Sequence, residues 1–218
     1  FDPDLKVDLL VNDGDMIKAN TPIISISGKS TSILGAERTA LNFLGILSGV
    51  ATETRKLVDK ISGTNTRVCC TRKTIPGLRI LQKYAVKCGG GFNHRFGLSD
   101  GILIKDNHIK ASGGIENAVK EIKSISGHMQ KIEIEADNIN QVIAAIDSGV
   151  DVIMLDNMTL SDIRNAIRII NKKVLVEASG SISVDNIRDI AETGVDIISV
   201  GWITHSAPSL DVGLDFKD

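Results

Sequence analysis

From Arg67 onward the chain alternates between two periodicities, and this alternation limits its fold more than any other feature. Short runs rich in β-branched residues occupy 67–71, 101–105, 131–135, 151–155, 173–177 and 195–200. Between most of them apolar residues recur every three or four positions, at 78–88, 115–125, 138–148, 160–170 and 183–193. Strands that alternate with helices require right-handed crossovers and a parallel sheet covered by those helices. The run at 151–155 is apolar, as expected of a strand covered on both faces. Gly149-Val150-Asp151-Val152-Ile153 is echoed by Gly194-Val195-Asp196-Ile197-Ile198. In each case a helix ends at glycine and a strand begins at once. This weak repeat of one βα unit favours a barrel over an open sheet. Six strands are visible rather than eight, so the expected fold is an incomplete TIM-like α/β barrel.

The first third reads differently. Asn12-Asp13-Gly14-Asp15 and Asn20-Thr21-Pro22 are turn signals between short β-like runs. A long helical pattern follows from Gly35 to Ile61, with Leu41, Leu44, Leu47, Val50, Leu57 and Ile61 forming an apolar stripe. Gly45 and Gly49 weaken its middle. The first residues include no initiator Met, so the expectation is that the small β-rich piece is the end of a further domain.

Charge is distributed unevenly. Residues 67–110 hold nine Lys/Arg against two acids, Asp100 and Asp106, while the rest of the chain carries a net −9. A basic segment in an acidic body suits a small anion better than a nucleic-acid surface. Aromatic residues make up 3%, too few for base-stacking platforms. No apolar run approaches the ~18 residues of a membrane span, and no signal-peptide pattern opens the chain. Cys69, Cys70 and Cys88 contain no CxxC, which reads as reduced thiols and a cytoplasmic protein.

In a parallel α/β barrel, residues at the C-terminal ends of the strands converge on one mouth. Those positions are Arg72-Lys73, Lys105, Glu135, Asp156-Asn157, Ser179-Gly180-Ser181 and Gly201. The mouth therefore has a cationic side, a carboxylate side and small loops able to offer backbone N–H groups to phosphate. His94-Arg95, in a glycine-rich loop, joins the cationic side. Taken singly, Lys105 could be an ordinary strand-end lysine and Glu135 and Asp156 structural partners of nearby bases. Together they are harder to explain away: two like charges about 6 Å apart repel by roughly 3 kcal/mol at an effective dielectric of about 20. A polyanionic ligand would offset that repulsion. The carboxylates suit a divalent metal carried by the ligand, or a developing positive charge. His128 and His205 lack metal-ligand spacing, and Ser179 lies outside a G-x-S-x-G setting, so zinc chemistry and serine hydrolysis are disfavoured.

These residues also carry a resemblance. "ERTALNFL" at 37–44, "TRKTIPGLR" at 71–79, "KYAVKCGGGFNHRFGLSDGILIKDNH" at 83–108, "IEIE" at 132–135, "MLDN" at 154–157, "VEASGSI" at 176–182 and "THSAPSLD" at 204–211 resemble the quinolinate phosphoribosyltransferase family. Phe92 and Trp202 depart from the family pattern, where smaller or more polar residues are expected. The resemblance implies a division into 1–35, the end of an N-terminal α/β sandwich domain, 36–203, the barrel, and 204–218, a return segment to the sandwich. It implies decarboxylating transfer of phosphoribosyl from phosphoribosyl pyrophosphate to quinolinate, in NAD synthesis. It assigns Arg38, Arg72, His94, Arg95 and Lys105 to the quinolinate carboxylates, and Lys73, Glu135 and Asp156 to catalysis. Ser179, Gly180 and Gly201 would bind the 5′-phosphate. Glu135 and Asp156 would hold Mg2+, directly or through water. Arg38 would come from a neighbouring subunit, which implies a homodimer; dimer and hexamer both stay open. A nicotinate-using phosphoribosyltransferase is one rival, and a silent or transport-associated binding homologue another.

Overall fold

A computed structural model describes residues 1–216; residues 217 and 218, at the end of the expected return segment, lie outside the described residues. Two short strands, β1 (Lys6–Leu9) and β2 (Ile24–Ser27), pair antiparallel. Helix α1 (Ser30–Lys60) follows. The rest is β3 (Arg67–Cys69), α2 (Arg79–Cys88), β4 (Ile102–Ile104), α3 (Asp106–Ala111), α4 (Ile115–Ile125), β5 (Ile132–Ala136), α5 (Ile139–Asp147), β6 (Val152–Asp156), α6 (Leu160–Ile170), β7 (Leu175–Ser179), α7 (Ile187–Ala191), β8 (Ile197–Ser199) and α8 (Trp202–His205).

The six later strands form one parallel sheet in the order β3-β8-β7-β6-β5-β4. A single parallel bridge from Cys69 to Phe92 adds a fragment beyond β3. All six expected strands are present, and the sheet is the incomplete α/β barrel that the alternation predicts. From β4 to β8 each βα unit lays its strand beside the last, β8 pairs with β3, and β3 and β4 stand at the two ends of the sheet.

The two-residue strand period sorts side chains between two environments. In β5, Ile132 and Ile134 join the buried core under the helices, while Glu133 and Glu135 face inward. In β6 and β7 the same split puts Ile153, Leu155, Val176 and Ala178 in the core and Met154, Asp156, Glu177 and Ser179 along the cavity. Local caps set the helix starts. Asn138 and Thr159 accept the backbone N–H groups of Gln141 and Asp162, at 3.0 and 3.2 Å, and so open α5 and α6. The helix expected over 183–193 begins only at Ile187. The Asn186 side chain accepts the Ser183 N–H at 2.8 Å and donates to the Ser181 carbonyl at 2.9 Å, which holds that stretch as a turn.

Gly45 and Gly49, which weaken α1 on propensity grounds, lie where residues 208–210 cross the helix. A Cβ on Gly49 would sit 2.0 Å from the Pro208 carbonyl oxygen, and the Leu210 N–H donates to the Gly45 carbonyl at 3.0 Å. Helix propensity alone makes Gly→Ala stabilising by about 1 kcal/mol. The backbone clash has the opposite sign and is the larger effect, about 1–3 kcal/mol for overpacking of this kind. Gly49→Ala should therefore lower the denaturation midpoint. A rise, measured by chemical denaturation, would show that the crossing segment is not seated there.

Candidate active site

The C-terminal ends of the strands open onto one cavity of about 1010 Å3. Arg72, Lys73, His94, Arg95, Lys105, Glu135, Asp156, Ser179, Gly180 and Gly201 all line it. Of the residues expected from the sequence, Arg38 is the exception. It lies on α1, 75% exposed at its side chain, 3.7 Å from Glu37.

The cationic wall is braced from behind. Arg79 donates from Nε to Thr74 Oγ1 at 3.0 Å and from Nη2 to the Arg72 carbonyl at 3.2 Å. Gln82, buried on α2, accepts the Ile75 N–H and donates to the Thr204 carbonyl, while Thr204 Oγ1 donates to the Lys73 carbonyl at 2.7 Å. The loop carrying Arg72 and Lys73 is thus tied to two helices. Arg95 donates from Nη1 to the Gly101 carbonyl at 2.9 Å. Burial, and after it the neighbouring charge of Arg72, hold the Arg95 guanidinium below its ordinary value. The Nε atoms of Arg72 and Arg95 are buried and, among the described residues, have no acceptor. Donors left this way favour an anion in the cavity.

The acidic side has two levels. At the mouth Glu135 pairs with Lys105, and Asp156 Oδ2 accepts from Asn157 Nδ2 at 3.0 Å. These are hard oxygen donors beside the cavity, in a pair rather than a closed shell. That suits magnesium, which keeps waters and takes its remaining ligands from phosphate oxygens. Deeper in the barrel, His94 Nε2 lies 3.0 Å from Glu133 and 3.8 Å from Glu177. Burial opposes a charge on His94, but the hydrogen bond to Glu133 and the charge of Glu177 outweigh it and push the ring upward. Its Nδ1 accepts the Arg95 backbone N–H at 2.8 Å. Both ring nitrogens are therefore engaged within the protein, and His94 sets the backbone of Arg95.

Glu133 and Glu177 escaped sequence reasoning, although the alternation of acids in "IEIE" was an available signal for Glu133. His205, set aside for lack of ligand spacing, lines the cavity four residues beyond Gly201, as does Trp202. His108 does not line it. The strand stops at Ile104 and the chain turns into α3, where His108 Nδ1 accepts the Lys105 backbone N–H at 2.9 Å. Cys69, Cys70 and Cys88 are unpaired, and burial pushes the Cys69 thiol up, away from reactivity.

Burial first, and then the like charge of Glu133, push the Glu177 carboxyl from 4.5 up to about 8. Between those values the folded chain holds a proton that the unfolded chain has lost. Stability is thus fully present below the window and falls as pH rises through it. Glu177→Gln should flatten the decline between pH 5 and pH 8 in thermal melts. An unchanged slope would mean that Glu177 is already ionised in the fold.

Comparison with known proteins agrees with this geometry. The family described as "Quinolinate phosphoribosyl transferase, N-terminal domain" matches residues 1–48, and its C-terminal-domain counterpart matches residues 50–215. The chain is 41% identical over 208 residues to a protein of Mycobacterium leprae (strain TN) named nicotinate-nucleotide pyrophosphorylase [carboxylating], covering 94% of this chain and 73% of that one. Solved structures of nicotinate-nucleotide pyrophosphorylases from Ehrlichia chaffeensis and Francisella tularensis superpose with TM-scores of 0.94 and 0.92, at 44% and 47% identity. They cover 97% and 95% of this chain, which spans 77% and 74% of theirs. No helix among the described residues is long and apolar enough to cross a membrane. With both family domains matched along nearly its whole length and the expected charges gathered in one barrel mouth, the chain belongs to the quinolinate phosphoribosyltransferase family.

Proposed function

We propose that the chain transfers the phosphoribosyl group of phosphoribosyl pyrophosphate to the ring nitrogen of quinolinate with loss of one carboxylate. The products are nicotinate mononucleotide, pyrophosphate and CO2. The observation that carries this reading is the single cavity that gathers Arg72, Arg95 and Lys105 on one side and Glu135 and Asp156 on the other.

The roles follow from charge. The two guanidinium groups and Lys105 suit a dicarboxylate, because planar forks bind two oxygens at once. A monocarboxylate such as nicotinate would leave part of this cradle unmatched. Lys73, Glu135 and Asp156 face the sugar and pyrophosphate. Lys73 stabilises the negative charge that develops on pyrophosphate as it leaves, and the two carboxylates stabilise oxocarbenium character at the ribose C1. Magnesium held by Glu135 and Asp156, directly or through water, would supply further neutralisation of the pyrophosphate. The clamped pyridine nitrogen is held in line with C1, so attack has little orientational entropy left to lose. Once the nitrogen is cationic, the bond to the adjacent carboxylate breaks and CO2 leaves. The electron pair left at the ring carbon is stabilised beside the cationic nitrogen, and a proton from solvent then takes the vacated position. No nucleophilic side chain is required, which agrees with the high thiol range of Cys69 and with Ser179 having no histidine base beside it in sequence.

Arg38 enters this reading from a second copy of the chain. Its exposure on α1 leaves it free to reach a neighbour's cavity, and a homodimer would then be obligatory. The unpaired thiols support a cytoplasmic location.

CO2 release from quinolinate with phosphoribosyl pyrophosphate and magnesium, and none from nicotinate, is the expected result for the full-length protein. No release with either would remove the assignment. Arg95→Ala should weaken quinolinate binding by about 2–5 kcal/mol while phosphoribosyl pyrophosphate binding holds, and Asp156→Asn should do the reverse. Equal loss of both ligands in calorimetry would contradict the partition. Co-expressing Arg38→Ala with Lys73→Ala subunits should restore part of the activity that each loses alone. Failure of that complementation would place Arg38 outside the neighbour's site.

A further inference from the structure

Trp202 is the chain's single tryptophan, and no step above uses it. It opens α8 directly after Gly201, packs against the core and lines the cavity. Its indole N–H donates to the Ile182 carbonyl at 2.9 Å. That carbonyl ends the turn that follows β7, where Gly180 and Ser181 both have left-handed backbones, with φ of 97° and 50°. A Cβ on Gly180 would fall 2.2 Å from Asn157 Oδ1, so the turn is pressed against the neighbouring strand end.

The turn's polar groups are segregated. The Ser179 carbonyl accepts the Asn157 N–H at 2.9 Å, the Ser181 carbonyl accepts Asn186 Nδ2 at 2.9 Å, and the Ile182 carbonyl accepts the Trp202 indole. Among the described residues, the backbone N–H groups of Gly180, Ser181 and Ile182 donate to no protein acceptor. A loop that binds an anion must present donors and keep its own carbonyl oxygens away, since an oxygen turned toward phosphate repels it. Three separate donors hold three carbonyls back here. A serine with φ of 50° is unfavourable unless its surroundings hold it, and Trp202 and Asn186 supply that restraint on either side.

We propose that Trp202 is a positioning residue for the sugar-phosphate site. Its indole N–H pins the Ile182 carbonyl and keeps the Gly180–Ser181 turn in the conformation that receives the 5′-phosphate. The inference rests on the reading of Ser179, Gly180 and Gly201 as the phosphate subsite. A small side chain at 202 could not reach the Ile182 carbonyl, so the contact depends on the indole.

The test is calorimetric titration with ribose 5-phosphate, which needs no turnover, on the full chain and on Trp202→Phe, Trp202→Leu and Asn186→Ala. Phe keeps the aromatic packing and removes only the donor. All three variants should bind ribose 5-phosphate about threefold to tenfold more weakly, as expected for one lost hydrogen bond, with quinolinate affinity unchanged. In turnover the KM for phosphoribosyl pyrophosphate should rise by the same factor while kcat stays within about twofold. Wild-type affinity for ribose 5-phosphate in Trp202→Phe would overturn the proposal, as would parallel loss of quinolinate affinity and melting temperature, which marks a purely structural role. A wild-type chain that binds ribose 5-phosphate but releases no CO2 from quinolinate would leave the latch standing and sink the proposed reaction instead.

Discussion

Arg72 and Arg95 share a cavity in which each makes the other's charge more costly, and the surrounding structure is organised around that cost. The repulsion is visible on Arg95, whose guanidinium is held below its ordinary value by burial and by Arg72. The loop under Arg72 and the side chain of Arg95 are both tied down. Arg79 binds the loop that carries Arg72, and the Gly101 carbonyl holds Arg95. The fold thus stores an electrostatic preference for an anion rather than relaxing it, as a preorganised site must.

The counter-charges beneath are managed separately. Glu133 and Glu177 are buried side by side, and burial together with the charge of Glu133 pushes the Glu177 carboxyl up. That arrangement puts an acidic floor under His94, whose Nε2 lies 3.0 Å from Glu133. His94 in turn accepts the Arg95 backbone N–H. A chain of contacts therefore runs from the barrel interior to a guanidinium that lines the cavity. The proposed phosphate side is built differently, from backbone N–H groups on a left-handed turn whose carbonyls are held back by Asn157, Asn186 and Trp202.

Much of this was legible from the linear chain because each signal was local. The helical periods of α4 and α6 agree with the structure residue for residue, and the strand runs fall within two residues of the strands at each end. The strand-end positions of Arg72, Lys105, Glu135 and Asp156 all lie in the cavity wall. The differences came from side-chain-to-backbone contacts that periodicity does not register. His108 stands three residues from Lys105, yet its Nδ1 accepts the Lys105 N–H at the start of α3 and it does not line the cavity. The start of α7 shifted because a side chain, Asn186, competed successfully with the first helical turn.

Periodicity, turn chemistry and strand-end composition determined the parallel α/β architecture and the polarity of its mouth, because a two-residue or 3.6-residue repeat needs only neighbours in the chain to express itself. Tertiary structure alone decided which polar groups are relieved and which are left in tension. Whether Glu177 is charged depends on Glu133 from another strand. Whether Gly49 is a weakness or a necessity depends on Pro208. Whether Trp202 is filler or latch depends on Ile182. Each is a contact between residues distant in sequence, and its energy is set by geometry and local dielectric rather than by composition.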